Sequence, residues 1–269
     1  MLNWDEFELP ITAPRFGEGA GLYVRRGRQS APESPVTLVF LHEALGSIAQ
    51  WRDFPQQLAE RCGCDVLIYE RIGHAGASSL ELPRPDDYLV YEGEVVLPQL
   101  LERLEIEQAV LVGHSDGGSI ALVGAASVPD RVRGVITEAA HLLVEPITRD
   151  GIIQARDLYD EAIRPGLSRY HGDKTDTLFQ GWWQTWLRDS FQGLDLSPWL
   201  GRIRAPSLIM QGVNDQYGSA LQVEKICEGI GAQASPCWLD AAHIPHREAT
   251  EPCLEAMGGF IRRLLNDQA

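Results

Sequence analysis

The sequence predicts an α/β protein with a mostly parallel, eight-stranded, doubly wound sheet and a helical cap insertion. Short β-branched runs alternate with stretches of helical period, which is typical of a parallel sheet covered by helices on both faces. The chain has 269 residues, enough for one core domain and an insertion. One long interval, between residues 138 and 206, breaks the alternation and is rich in aromatic residues.

Six short apolar runs are predicted to be buried strands of this sheet. Two further segments, around 6–11 and 20–25, are predicted to form an antiparallel hairpin at one edge. The six runs are VTLVFL (36–41), DVLIYE (65–70), AVLVG (109–113), GVITE (134–138), PSLIMQG (206–212) and PCWLD (236–240).

Helices are predicted between the strands, where apolar residues recur at spacings of three and four. A structureless loop filling the long interval would be improbable. Residues 145–200 are therefore predicted to form the helical cap, with 1–144 and 201–269 as the core domain. Four of the seven tryptophans lie in the cap, either in its own small core or against an apolar pocket. The other predicted helices are 50–61, 86–104, 117–127, 218–229 and 249–265.

Composition excludes several classes of partner. Lys plus Arg number 23 and Asp plus Glu number 38, so a net charge of −15 disfavours binding to nucleic acid or to an anionic membrane. The five cysteines lack zinc spacing, and no dinucleotide or phosphate-loop motif occurs. The N-terminal segment is acidic and lacks a signal-peptide pattern. We expect a cytoplasmic protein that takes a small-molecule substrate, with no cofactor and no metal, as a monomer or homodimer.

The stretch GHSDG (113–117) follows a predicted strand and precedes a predicted helix. A serine on such a tight turn needs small neighbours, and Gly113 and Gly117 flank Ser115 at two residues' distance. The turn predicts a nucleophile at Ser115, with the backbone N–H of Asp116 facing a developing oxyanion. A glycine-rich helix start with a serine cap is the alternative.

A nucleophilic serine needs a base and an acid that orients the base. Asp215 and His243 each follow a later predicted strand, so the chain order is Ser115, Asp215, His243. Asp240 competes weakly for the role of the acid, because it precedes the histidine too closely. His246 competes for the role of the base, with a surface contact or a contact at the start of a helix as its alternative role.

These motifs together resemble the α/β-hydrolase fold family, in particular its small, esterase-like members with a helical cap. The resemblance covers nearly the whole chain and implies a Ser-His-Asp triad in the order found here. The motifs that carry it are LHEALGS, YERIGHAGAS, GHSDGG, QGVNDQYG and AAHIPHREATEP.

The resemblance also implies a second oxyanion donor in the loop after the strand at 36–41. Ala44 matches the third residue of the family's His-Gly-x pattern, so its backbone N–H is the expected donor, with Leu45 next. Glu43 stands where the family usually has glycine. We expect this carboxylate to be solvated or paired with Arg71.

The predicted activity is cleavage of a carboxylic ester, or of a related acyl bond, in a small, partly apolar substrate through an acyl-enzyme. A C–C bond hydrolase acting on diketone-like substrates is an alternative, and Arg71 or Arg149 would then anchor a substrate carboxylate. A ligand-sensing protein of the same fold with a slow triad is another. The residues predicted to line the substrate pocket are His42, Leu45, His141, Trp183 and Trp186.

Overall fold

The computed structural model describes residues 2–16, 19–31 and 34–266, and its centre is a single sheet. The strands in the described ranges are Leu2–Pro10 (β1), Gly21–Gln29 (β2), Thr37–Leu41 (β3), Asp65–Glu70 (β4), Ala109–His114 (β5), Val132–Glu138 (β6), Ser207–Gly212 (β7) and Ala234–Leu239 (β8). They lie side by side in the order β1-β2-β4-β3-β5-β6-β7-β8. β1 and β2 are antiparallel to their neighbours, and β3 to β8 are parallel to one another. The mostly parallel, eight-stranded sheet is confirmed.

Helices follow the predicted segments and lie between the strands. Residues 88–103 form one helical run that contains a π-helical turn at Glu92–Val96. The α-helices are Phe54–Cys62 (α1), Tyr88–Tyr91 (α2), Leu97–Arg103 (α3), Asp116–Ser127 (α4), Pro146–Asp157 (α5), Arg164–His171 (α6), Thr175–Leu187 (α7), Ser197–Leu200 (α8), Ala220–Ile230 (α9), Pro245–Glu248 (α10) and Thr250–Asn266 (α11). Helices α5 to α8 occupy the interval between β6 and β7. The division into a core and a cap at 145–200 stays a prediction.

Two apolar cores lie on opposite faces of the sheet, because alternate side chains of a strand point to opposite faces. In β3, Val39 and Leu41 belong to the core that includes α3, α4 and α9. Leu38 and Phe40 belong to the core that includes α1 and α11. This burial on both faces explains why the central strands are continuous apolar runs. In the ranges that the structure describes, no helix is both long and apolar enough to cross a membrane.

The prediction that the last strand, PCWLD, is buried is wrong. β8 lies at the edge of the sheet, paired only with β7. Pro236 is exposed, and Trp238 is 43% exposed. A proline lacks the N–H that a central strand must donate, so an edge position accommodates Pro236.

The turn between β5 and α4 brings backbone segments unusually close together. Ser115 has φ 53° and ψ −118°, a conformation that L-residues rarely adopt. Its N–H donates to Glu138 O at 2.8 Å, which fixes the turn against the end of β6. A Cβ atom on Gly117 would overlap the carbonyl of Leu41, and one on Gly113 would overlap the backbone of Gly117. These glycines therefore permit the strained serine conformation.

The substitution Gly117→Ala should lower the free energy of unfolding by about 1–3 kcal/mol, because the new methyl group forces the backbone of β3 away from the turn. Urea denaturation measures the change. Gly166→Ala is the matched control, since Gly166 lies in α6 with no atom within 4 Å of a new Cβ. It should be neutral or stabilising by up to about 1 kcal/mol. Equal unfolding midpoints for the Gly117 variant and the unmodified protein would contradict this account of the turn.

Candidate active site

Three predicted residues meet at the carboxyl end of the sheet, where the loops after parallel strands converge. Ser115 follows β5, Asp215 follows β7 and His243 follows β8. His243 Nε2 lies 3.1 Å from Ser115 Oγ. On its other side, His243 Nδ1 lies 2.9 and 3.0 Å from the two carboxylate oxygens of Asp215. The three side chains form one hydrogen-bonded line.

Asp215 is buried and held by its own loop. Its Oδ1 accepts hydrogen bonds from the N–H groups of Tyr217 at 2.8 Å and Gly218 at 3.3 Å. Burial raises the pKa of the Asp215 carboxyl, but the hydrogen bond and charge of His243, together with the N–H of Tyr217, lower it overall. Asp215 is therefore ionised at neutral pH. Asp240, the weaker candidate, is contacted by Asn214 and lies outside this line.

The pKa of His243 is set by two opposing effects. Burial lowers it, while the hydrogen bond of Asp215 and the negative charges of Asp215, Glu43 and Glu248 raise it, and the pKa lies above its usual value. The aspartate directs the Nδ1 proton to itself and leaves Nε2 of the neutral ring as an acceptor for the Ser115 proton.

Of the two alternative roles for His246, the surface contact is wrong, since the side chain is buried, and the place at the start of a helix is found, since His246 lies in α10. His246 Nδ1 lies 2.7 Å from Glu138 Oε2, and its ring packs 4.5 Å from the ring of Trp51. The neighbouring His114 donates from Nε2 to the carbonyl oxygen of His243 at 2.7 Å. His114 thus holds the backbone at His243, while His246 is held by Glu138.

Among the backbone N–H groups near Ser115, those of Ala44 and Asp116 have no hydrogen-bond partner in the described part of the chain. Asp116 is the first residue of α4, where N–H groups are free of intrahelical partners. The N–H of Leu45, by contrast, donates to Glu43 Oε2 at 3.5 Å. Ala44 is therefore better placed than Leu45 to offer a free donor.

Arg71 fixes the loop that carries Ala44. Its guanidinium donates to the carbonyl oxygens of Glu43 at 2.8 Å and His42 at 3.3 Å. In a trans peptide the C=O and the following N–H point in opposite directions. Because Arg71 holds the Glu43 carbonyl, the N–H of Ala44 points away from Arg71. The expected pairing of Arg71 with the Glu43 carboxylate is wrong, since the guanidinium lies 3.5 Å from the carboxylate of Asp116 instead.

A cavity of about 250 Å³ lies beside Ser115. Of the predicted pocket residues, Leu45, His141 and Trp186 line it. Most of its remaining wall comes from the apolar and aromatic side chains of α5 and α7 and from the loops that hold the triad. The lining residues that sequence reasoning did not name include Thr148, Ile152, Ile163, Trp182, Gln216, Tyr217, Ile244 and Glu248.

Two predicted pocket residues lie outside this lining, His42 and Trp183. His42 turns inward, where Nε2 accepts the N–H of Arg71 at 3.2 Å and Nδ1 donates to Glu43 O at 2.7 Å. Trp183 turns toward Arg156, whose guanidinium lies 5.7 Å from its ring centre. Trp182 takes its place, and the sequence held a signal for this, because residues four apart share a helix face and Trp182 precedes Trp186 by four.

The charged side chains of the cavity are acidic. Glu43 and Glu248 both line it, and no lysine or arginine does so among the residues that the structure describes. Burial raises the pKa of Glu43, and the charge of His243 opposes this rise. Neither Arg71 nor Arg149 reaches the lining, so neither expected anchor for a substrate carboxylate is in place.

Comparison with known proteins identifies the family of this fold. A family model described as alpha/beta hydrolase fold matches residues 36–164. The crystal structure of an enol-lactonase from Burkholderia xenovorans matches with a TM-score of 0.70 at 20% identity, over 91% of this chain and 97% of that one. The chain has the α/β-hydrolase fold.

Curated relatives of this α/β-hydrolase differ in the bond that their names specify. An sn-1-specific diacylglycerol lipase of Danio rerio is 33% identical over 99 residues, which cover 37% of this chain and 30% of the lipase. A 2-hydroxy-6-oxononadienedioate/2-hydroxy-6-oxononatrienedioate hydrolase of Klebsiella pneumoniae is 24% identical over 84% of this chain and 87% of its own length. The chain thus spans about a third of the first relative and most of the second.

The substitution Glu43→Gln should lower the pKa of His243, because it removes a negative charge that stabilises the protonated ring. NMR titration of the His243 ring protons measures the pKa directly. Glu224→Gln, which removes an exposed charge outside the cavity lining, is the matched control and should leave that pKa unchanged. An identical titration of His243 in the Glu43 variant and the unmodified protein would show that the carboxylate has no influence on the base.

Proposed function

We propose that this α/β-hydrolase is a serine hydrolase that cleaves carboxylic esters of small, partly apolar substrates. The observation that carries the proposal is the hydrogen-bonded line from Asp215 through His243 to Ser115, with two unpartnered N–H groups beside it. A nucleophile, a base, an acid that orients the base and an oxyanion site are the parts that acyl transfer needs.

The geometry assigns each step of the reaction to one group. His243 Nε2 takes the proton of Ser115 Oγ as the oxygen attacks the ester carbonyl carbon. Asp215 stabilises the imidazolium that forms. The N–H groups of Ala44 and Asp116 receive the oxyanion, and His243 then returns the proton to the leaving alcohol. A water molecule, activated by the same imidazole, hydrolyses the acyl-enzyme and restores Ser115.

The cavity indicates which esters fit. Its volume of about 250 Å³ suits a small substrate, and Ile152, Ile163 and two of the three tryptophans of α7 offer an apolar wall. The carboxylates of Glu43 and Glu248 repel a second negative charge near the reacting carbonyl. We therefore propose esters whose acyl chain carries no negative charge.

Cleavage of a carbon–carbon bond is the second candidate, because the Klebsiella relative that aligns over most of its length is named as a hydrolase of a dienedioate. A substrate of that kind bears carboxylates, and such groups are held by arginine or lysine. The absence of both residue types from the described cavity lining favours the ester.

A panel of p-nitrophenyl esters tests the proposal, with each neutral acyl chain paired with one of equal length that ends in a carboxylate. Neutral esters should be turned over, and the carboxylate-terminated ones should react more slowly. Ser115→Ala and His243→Ala should each lower kcat by about 10⁴-fold or more, because either change disables the same proton transfer. The double variant should have a kcat only slightly lower than that of either single variant.

His246→Ala is the control for the choice of base, since it removes a buried histidine that contacts Glu138 rather than Ser115. It should retain turnover per correctly folded molecule, whereas His243→Ala should not. Serine-independent hydrolysis would overturn the proposal. Tight binding of esters with no turnover would favour a ligand sensor, and faster reaction of the carboxylate-terminated esters would favour the dioate-type substrate.

A further inference from the structure

We propose that Tyr88 is a positioning residue that connects Trp186 in the cavity wall to both oxyanion donors. The proposal rests on the proposed serine hydrolase function and adds a residue that lies outside the cavity lining. Tyr88 is the first residue of the helical run at 88–103 and is buried beneath the turn that carries Ser115.

The first part of the connection is a pair of hydrogen bonds at the Tyr88 hydroxyl. Trp186 Nε1 donates to it at 2.9 Å. The hydroxyl donates in turn to Asp116 Oδ2 at 2.6 Å. Because an indole N–H can only donate, the hydroxyl must accept from Trp186, and its single proton is directed to Asp116. Hydrogen bonds in such a series strengthen one another in a buried site.

The second part runs from Asp116 to the loop that carries Ala44. The carboxylate of Asp116 lies 3.5 Å from the Arg71 guanidinium, and both side chains are buried. Arg71 holds the carbonyl oxygen of Glu43, which orients the N–H of Ala44. Asp116 carries the other free N–H in its own backbone. One carboxylate thus joins the two peptides whose N–H groups form the proposed oxyanion site.

Tyr88 supplies most of the polar contact that keeps this carboxylate in place. Within the described part of the chain, Asp116 Oδ1 has no hydrogen-bond partner, and Oδ2 has only Tyr88 and Arg71. Without the hydroxyl, Asp116 depends on Arg71 alone. The guanidinium would then be drawn toward the carboxylate and away from the Glu43 carbonyl. An oxyanion site tolerates little displacement, since its donors must lie about 3 Å from the developing charge.

The test compares Tyr88→Phe with Tyr159→Phe. Tyr159 also donates to an aspartate at 2.6 Å, that of Asp176, but the pair is exposed and makes no contact with the oxyanion loop. Both changes remove one hydroxyl and leave the net charge unaltered. Reactive sites are first counted by titration with a fluorophosphonate, so that kcat refers to folded, reactive molecules. A trifluoromethyl ketone, which forms a tetrahedral adduct with a serine, reports the oxyanion site independently of turnover.

Tyr88→Phe should lower kcat per titrated site about tenfold and should weaken the binding of the trifluoromethyl ketone by a similar factor. The KM for a neutral ester should change less than about threefold. Tyr159→Phe should leave all three quantities unchanged. Trp186→Phe, which removes the N–H at the other end of the series of hydrogen bonds, should weaken binding of the ketone as well. The double variant Tyr88→Phe/Trp186→Phe should bind the ketone only slightly more weakly than Tyr88→Phe alone, because both changes break the same connection.

Several outcomes overturn the proposal. A kcat per titrated site within twofold of the unmodified protein would show that Tyr88 does not position the donors. A loss of titratable sites at unchanged kcat per site would show a purely structural role. If Tyr88→Phe yields no soluble protein, Trp186→Phe decides, and unchanged affinity for the ketone refutes the connection. Failure of the unmodified protein to react with the fluorophosphonate would instead refute the serine hydrolase function on which the proposal rests.

Discussion

The close approach of β3 and the β5–α4 turn is the constraint on which the site depends. Ser115 adopts φ 53°, a conformation that costs about 1–3 kcal/mol and persists only where the surrounding structure enforces it. Here the N–H of Ser115 is bound to Glu138, and Gly117 packs against the carbonyl of Leu41. The same contact brings the end of β3, and with it the loop of Ala44, to the start of α4. The two unpartnered N–H groups are neighbours because these backbones touch.

A buried ion pair stabilises the same junction from below. Arg71 and Asp116 are each about 1% exposed, and removal of one partner from such a pair leaves an uncompensated charge at a cost of about 3–5 kcal/mol. The pair also directs backbone groups, since Arg71 binds the carbonyl of Glu43 and Asp116 begins α4. The ion pair therefore orients these backbone groups in addition to stabilising the junction by attraction. Glu138 has a comparable double role, because its carbonyl holds Ser115 and its carboxylate holds His246.

The sequence was sufficient for the features that depend on local pattern. Buried parallel strands read as continuous apolar runs, and polar residues that follow them must meet at one edge of the sheet, so the positions of Ser115, Asp215 and His243 could be predicted.

Features that depend on side-chain direction could not be predicted from the sequence. His42 turns inward because Arg71 offers it a donor, and the Glu43 carboxylate faces the cavity because Arg71 is already bound to carbonyls and to Asp116. These contacts join residues about thirty positions apart or more, and no spacing rule specifies them. The burial of β8 was missed because edge position is a property of the whole sheet.

In the proposed reaction, Ser115 attacks a carbonyl whose oxygen is received by the N–H groups of Ala44 and Asp116. A crystal structure of the protein after reaction with a fluorophosphonate tests it most directly. We expect a covalent bond from Ser115 Oγ to phosphorus, with the phosphonyl oxygen about 3 Å from the backbone nitrogens of both Ala44 and Asp116. A bond to any other residue, or a phosphonyl oxygen directed away from these two nitrogens, would contradict it.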